Sequence, residues 1–255
     1  MFDKIYKWAD CLEIMPISSK DGLKEYYKKQ KVVDTYVKDR FSTPLGRYMH
    51  VSQVLFLNKF VKGKRIMDLA CGPARLSKDI RGFVEAYALD YSDEMIQIAE
   101  SILLGWKIKK VDAFAFSLKE EFDLIYSFRF IRHYHLKERV KVYTQIKKHL
   151  KKDGIFIFDA VNYDKSYHVR KRKGFHHYQI YDRLYKKKDL IKELKENGFK
   201  DIKLYPCLNH LYTITAISKL TAAISIPGWG YKLIRSLEKI PSNNPLEWMI
   251  ICRKK

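Results

Sequence analysis

Three aspartates close short apolar runs at a regular interval. Asp68 stands near the end of Arg65–Leu69 (RIMDL), Asp90 follows Val84–Leu89 and Asp112 follows Ile108–Val111, each twenty-two residues after the last. After Asp68 comes a turn of small residues, Leu69-Ala70-Cys71-Gly72-Pro73-Ala74, and then a helix expected to begin near Arg75. Small side chains at Ala70, Gly72 and Ala74 let the backbone approach a ligand closely, and a helix N-terminus would aim N–H donors at it. An acid closing the second strand, here Asp90, accepts hydrogen bonds from ribose hydroxyls in Rossmann-like sites. A second chemical cluster, Ser127-Phe128-Arg129-Phe130-Ile131-Arg132-His133-Tyr134-His135, follows a further apolar run. His133 and His135 have no third ligand spaced to join them, so no metal site is expected.

The elements that must position these residues alternate. Phe122–Ser127 (FDLIYS) and Gly154–Val161 (GIFIFDAV) are apolar enough for central strands buried on both faces, and Phe199–Tyr205 and Leu246–Cys252 are the last two strands. Ser92 is an N-cap signal with Glu94 in the first turn. Leu136–Leu150 carries Val140, Tyr143, Ile146 and Leu150 at helical spacing, with Asp153-Gly154 as a stop, and Lys188–Glu196 ends at the cap signal Asn197-Gly198. Strand–helix alternation of this length predicts a mostly parallel sheet with helices on both faces. Three parts stand outside it: Met1–Val61, the basic stretch Asn162–Lys187 and an insertion at Leu208–Asn244.

With 255 residues and 47% apolar composition, the chain can bury one substantial core. Cys11, Cys71, Cys207 and Cys252 form no CxxC pair, which argues against a disulfide framework or a zinc site and fits a reducing compartment. Met1–Leu12 carries charges where a signal peptide would have an apolar core, and charge interrupts every stretch long enough to span a membrane. A cytoplasmic location is therefore expected. The net charge of +21 suits nucleic acid, anionic headgroups or acidic substrates, or reflects plain lysine usage on solvated helix faces.

Asp68-Leu69-Ala70-Cys71-Gly72-Pro73-Ala74 resembles the D-x-G-x-G-x-G motif of class I S-adenosylmethionine-dependent methyltransferases, with alanine replacing two glycines. Asp90, Asp112-Ala113-Phe114, Phe122-Asp123-Leu124-Ile125, Leu150-Lys151-Lys152-Asp153-Gly154 and Glu193–Phe199 match later landmarks of that family in order. A nicotinamide-binding enzyme would prefer G-x-G-x-x-G with no acid closing the first strand. The resemblance implies a Rossmann-like seven-stranded sheet with the last strand antiparallel, in a domain at 61–255 preceded by an N-terminal helical cap at 1–60. It also implies S-adenosylmethionine as cofactor, held by Asp68, Ala70, Cys71, Gly72, Ala74, Arg75 and Leu76 on the first loop. Asp90, Tyr91 and Met95 would meet the ribose side, Asp112, Ala113 and Phe114 the adenine, and Ser127 and Phe128 would stand after strand four. In relatives an N-terminal helix covers the cofactor, so Arg47 or Tyr48, in a helix capped at Thr43-Pro44 and running to Phe60, would meet the methionine carboxylate or else lie on the surface. His133 would be the base for an acceptor that must lose a proton, with Tyr134, Arg129 and His135 behind it, or would only pack and orient its segment.

The acceptor is expected to be an O- or N-site of a small or lipid-linked molecule. The alternatives are a transfer or ribosomal RNA and a non-catalytic cofactor- or partner-binding subunit. Basic and aromatic residues interleave through Asp164–Lys188, a pattern that suits single-stranded nucleic acid or a phosphate-bearing group. The insertion reads as a helical hairpin: Leu211, Ile214, Ile217, Leu220 and Ile224 at helical spacing, a turn at Pro227-Gly228-Trp229-Gly230, then Tyr231–Ile240. It is either a lid over the pocket or, through Trp229, Lys232 and Arg235, a peripheral contact with an anionic membrane over 208–240.

Overall fold

The computed structural model describes residues 16–28 and 42–255. Residues 1–15, with Cys11, and residues 29–41 lie outside the described residues. The strands are β1 (Arg65–Leu69), β2 (Glu85–Asp90), β3 (Lys107–Lys110), β4 (Phe122–Ser127), β5 (Leu150–Asn162), β6 (Leu184–Tyr185), β7 (Phe199–Cys207) and β8 (Glu247–Lys254). They form one sheet in the order β3-β2-β1-β4-β5-β8-β7, parallel except for β8, which runs antiparallel to both neighbours. The helices are α1 (Lys20–Lys28), α2 (Pro44–Val61), α3 (Asp93–Ile102), α4 (Leu136–His149), α5 (Tyr163–Lys173), α6 (Lys187–Glu196), α7 (Leu211–Ala223) and α8 (Pro227–Leu237).

The near-continuous apolar runs have the expected cause. Ile66, Leu124, Ile155 and Ile157 face a core shared with Val54, Leu57 and Val61 of α2. Met67, Ile125, Phe156 and Phe158 face the other core, with Val142, Tyr143 and Ile146 of α4 and Leu190 and Leu194 of α6. Alternate side chains of one strand are thus buried on opposite faces. Thr43 caps α2 through the Gly46 amide and Ser92 caps α3 through Met95.

The seven-strand path with its antiparallel last strand is as expected, and several other expectations need correction. A short eighth strand, Leu184–Tyr185, pairs with Val161–Asn162 beyond the end of β4 and brings the basic stretch back over the sheet's carboxyl edge. That stretch also contains α5, capped by Asn162. Helix α4 ends at His149, and Asp153-Gly154 is a bulge within β5: the β4–β5 register shifts between Phe122 and Leu124, with Asp153 at φ 58°. No α-helix starts at Arg75. Left-handed Ala70, Gly72 and Ala74 fold the chain into turns and a short 3-10 segment, Ser77–Asp79, so the donors near the loop are turn amides rather than a helix end. In the insertion, Pro227-Gly228-Trp229-Gly230 is the first turn of α8, with Pro227 in its favoured early position. The connecting turn is Ile224-Ser225-Ile226. Gly230 is where α8 presses against its neighbours, since a Cβ there would lie 2.0 Å from Thr221 Oγ1 of α7 and 3.2 Å from Pro44.

One buried hub fixes α4 and α6 beneath β6. Glu193 accepts from Arg139 Nε and Nη2 at 2.8 and 2.7 Å and from the hydroxyls of Tyr143 and Tyr185 at 2.9 and 3.1 Å. Removing only the carboxylate strands a buried guanidinium, so Glu193→Ala should cost roughly 3–5 kcal/mol of unfolding free energy in urea titration. Arg139→Met combined with Glu193→Leu should recover most of that loss.

Candidate active site

The loop after β1 adopts the left-handed conformation at Ala70 (φ 62°), Gly72 (φ 54°) and Ala74 (φ 53°), the three positions the motif reserves for glycine. This coiling turns the Gly72 amide onto Asp90 Oδ2 at 2.7 Å and the Cys71 amide onto Leu89 O at 3.0 Å, joining the ends of β1 and β2. A Cβ built on Gly72 meets nothing within 4 Å, because it opens into a cavity at the carboxyl edge of the sheet.

Each of the three aspartates lines that cavity and each is held differently. Asp68 is buried and accepts from Ser77 Oγ, which is itself 2.6 Å from the Tyr126 hydroxyl. Burial, reinforced by the charge of Asp90, pushes its carboxyl up to about 7 against the pull of Ser77 and Arg75. Asp90 Oδ1 accepts from the amides of Tyr91 and Ser92 at 2.7 and 3.0 Å. Its carboxyl is also raised by burial, which the Ser92, Gly72 and Tyr91 amides only partly offset. Asp112 Oδ2 receives Lys20 Nζ and Lys24 Nζ of α1 at 2.7 and 3.1 Å, and these lysines hold it below the usual carboxylate range despite its partial burial. The same lysines lie over the rings of Phe114 and Tyr91, at 4.6 and 3.7 Å from their centroids, and Leu23, Lys24 and Tyr27 complete the cavity wall. Helix α1 is therefore the cover of this site. Sequence reading did not find it, although Lys20 and Lys24 are one turn apart on a helix face.

Of the residues expected to hold a cofactor, Asp68, Ala70, Cys71, Gly72, Arg75, Leu76, Asp90, Tyr91, Met95, Asp112, Ala113, Phe114 and Phe128 line the cavity. Four do not. Ala74 is fully buried behind the loop, and Ser127 is buried, donating to Leu69 O at 2.8 Å and tying β4 to β1. Arg47 lies over the Tyr231 ring at 5.0 Å and Tyr48 sits beside Glu238, so both face the α7–α8 hairpin because α2 docks there through its first turn. The cation at the loop is Arg75. Its Nη2 donates to Gln53 Oε1 at 2.7 Å and its Nη1 lies 3.1 Å from His50 Nδ1, while His50 Nε2 is 2.8 Å from Asp79. Arginine can only donate, so His50 Nδ1 accepts and Nε2 carries the proton; burial and the Arg75 charge lower the His50 pKa.

The cavity is also lined by Phe128, Arg129, Phe130, His133 and Tyr134, with the Tyr134 ring 4.9 Å from that of Phe114. Arg129 is left-handed (φ 56°), its amide held by Asp159 Oδ1 at 2.6 Å. His133 Nδ1 is 2.9 Å from Tyr181 O and 2.9 Å from Asp182 Oδ1. The Tyr181 carbonyl is an acceptor, so Nδ1 donates to it, and Asp182 Oδ1 stands within ion-pair distance of the same nitrogen. Burial alone would raise the Asp182 carboxyl, but Arg132, His133 and Arg170 around it hold it well below the carboxylate range. Asp182 escaped sequence reading as one acid inside a basic stretch.

Residues 60–221 match the family described as "Methyltransferase domain". The chain belongs to that family. Its fold is that of the class I S-adenosylmethionine-dependent methyltransferases, as solved structures show. Magnesium protoporphyrin IX methyltransferase from Synechocystis, with bound SAH, aligns at TM-score 0.62 and 14% identity over 93% of this chain and 100% of that one. A SAM-dependent methyltransferase from Archaeoglobus fulgidus aligns at TM-score 0.59 and 16% identity over 87% and 99%. Phosphoethanolamine N-methyltransferase 2 from Haemonchus contortus aligns at TM-score 0.58 and 17% identity over 91% of this chain and 59% of that one. No curated protein matches the sequence.

The residues present fit S-adenosylmethionine, the methyl donor of these enzymes. The loop offers open space at Gly72, acids stand at the ends of β1, β2 and β3, and Arg75 supplies a cation for a carboxylate. A positively charged ligand beside Asp68 favours its ionised form. Affinity for S-adenosylmethionine should therefore rise with pH until Asp68 ionises near 7 and then level off, and Asp68→Asn should flatten that slope in calorimetric titrations. The sign for stability is opposite. The folded carboxyl titrates above its unfolded value, so the unliganded protein should lose stability relative to Asp68→Asn as pH rises from about 4 to 7.

Proposed function

We propose that this methyltransferase acts on an O- or N-acceptor of a small or lipid-linked molecule, with His133 as the base that removes the acceptor's proton. The observation that supports it is the orientation of the ring: Nδ1 donates to the Tyr181 carbonyl with Asp182 beside it, on a side chain that lines the cavity. Bound at the loop, S-adenosylmethionine supplies an electrophilic methyl group on sulfur.

The chain's own residues then do the rest. Asp90 receives the ribose hydroxyls, Asp112, Ala113 and Phe114 flank the adenine, and Arg75 meets the methionine carboxylate. Leu23 and Tyr27 of α1 exclude water, which matters because displacement at a methyl group depends on alignment and on keeping competing nucleophiles out. Phe128, Phe130 and Tyr134 give the acceptor an apolar wall. Arg129 has a buried Nε with no hydrogen-bond partner and is placed to meet an anionic group on the acceptor. The porphyrin and phosphoethanolamine enzymes to which the chain is similar act on small molecules of this kind.

His133→Asn should lower kcat by about 10²–10⁴-fold with cofactor affinity unchanged, measured by methyl transfer from labelled S-adenosylmethionine to fractionated lipid, small-molecule and RNA extracts. Asp90→Ala should instead abolish cofactor binding. Full turnover in His133→Asn would remove the base from the mechanism, and transfer to the RNA fraction alone would make RNA the acceptor.

A further inference from the structure

The α7–α8 hairpin exposes side chains that its own packing leaves uncovered. Leu220 is 64% exposed, Ile224 57% and Trp229 63%, with Ile226 and Leu233 exposed beside them. They gather around the Ile224–Ile226 turn, whereas Ile214 and Ile234 are buried in the core shared with α2. Lys219, Lys232 and Arg235 are exposed along the same two helices, with Lys232 Nζ 5.2 Å from the Trp229 ring centroid. The one acid between residues 208 and 240, Glu238, is buried, and its two oxygens are taken by the amides of Asn209 and His210 at 2.9 and 3.0 Å. The hairpin thus presents an apolar tip with a basic flank and no exposed acid.

Helix α5 adds cations at the start of α7, the end away from the tip. Lys165 Nζ and the Arg172 guanidinium lie 4.6 and 4.8 Å from the Tyr212 ring of α7, and Lys171 and Lys173 are exposed on the same helix. Helix α5 follows the carboxyl end of β5, the edge of the sheet at which the cavity lies.

We propose that α5 and the hairpin together form a docking face for an anionic lipid bilayer, with the Ile224–Trp229 tip at the headgroup–acyl boundary and the flanking cations on the headgroups. Aliphatic side chains at the tip favour hydrocarbon, which a nucleic acid does not offer, and the cationic flank complements an anionic leaflet. Among the described residues no helix is long and apolar enough to cross a membrane, so the contact is peripheral. The inference deepens the reading of the acceptor as lipid-linked but does not depend on His133.

The test is co-sedimentation of the full chain with phosphatidylcholine vesicles, with and without about one third phosphatidylglycerol. Wild type should sediment only with anionic vesicles, and less as salt rises. Ile224→Ser with Trp229→Ser should weaken vesicle binding at least about tenfold, and Lys219→Glu with Lys232→Glu and Arg235→Glu should abolish it. His133→Asn should sediment like wild type, so that failure of docking and failure of the catalytic reading are separable. All five hairpin substitutions are at exposed positions, and circular dichroism melting checks each fold. Failure of wild type to bind anionic vesicles at low salt would overturn the proposal. So would wild-type binding by the Ile224/Trp229 variant, or transfer RNA displacing the protein from vesicles while that variant binds RNA and vesicles equally well.

Discussion

The cavity wall at residues 129–134 depends on one buried guanidinium. Arg132 is 3% exposed and must be neutralised within the protein. It donates to Asp159 of β5 and Glu247 of β8 at 2.9 Å each and pairs with Asp182 at 3.1 Å. Each partner does something further. Asp159 holds the backbone of Arg129 in its left-handed turn, Glu247 fixes the start of the antiparallel strand, and Asp182 stands at the Nδ1 of His133. The Arg183 amide donates back to Arg132 O at 2.7 Å, so the stretch carrying Tyr181 and Asp182 cannot drift from the histidine it orients. Replacing one ion pair by apolar residues is often tolerated in a core. This cluster joins four segments of chain, and its geometry sets the orientation of His133.

Two parts of the cavity wall are therefore built on different physics. At the loop after β1, backbone conformation and amide donors shape the space, and Arg75 is held by Gln53 and His50 from α2. At His133, buried charges set the position of side chains contributed by residues 129–134 and 181–182. The segment leading into α1 meets the second of these: Ile17 pairs with Ile180, its amide donating to Gln179 O and its carbonyl accepting from Tyr181, while Lys20 and Lys24 hold Asp112. The cover of the cavity is thus laced to the backbone that orients His133.

How far this could be read in advance follows from which interactions are local. Arg65–Leu69 and Phe122–Ser127 were legible to the residue, because an apolar run bounded by turn formers has few other uses. Asp68, Asp90 and Asp112 were legible because each closes a strand. For Arg47 and Tyr48 a cofactor contact and a surface position were both open, because the face their helix turns to the hairpin is set by packing with Ser218 and Tyr231. Asp182 and α1 were invisible for a related reason. Their roles arise from contacts across 48 residues or more, as with Tyr181 on His133 and Lys24 on Asp112, and a short segment's periodicity holds no trace of such a partner.

The alanines of the first loop show how such a non-local contact can offset a local cost. An L-residue in the left-handed region costs roughly 1–2 kcal/mol that glycine does not incur. At Ala74 the side chain is fully buried with Cys71, Ala88, Ala99 and Leu103, in the small cluster that seats α3 against the sheet. A buried methyl contributes about 0.8 kcal/mol, so the packing returns much of what the backbone loses, and glycine there would leave a void beside α3. Ala70 has no such compensation, being part-exposed at the cavity wall. Its methyl group instead narrows the space open to a ligand. Gly72, between them, is the position where neither exchange is available. Its Cβ would enter the ligand's space, and its amide must reach Asp90. The one glycine the loop retains is therefore the one whose side of the chain belongs to the cofactor.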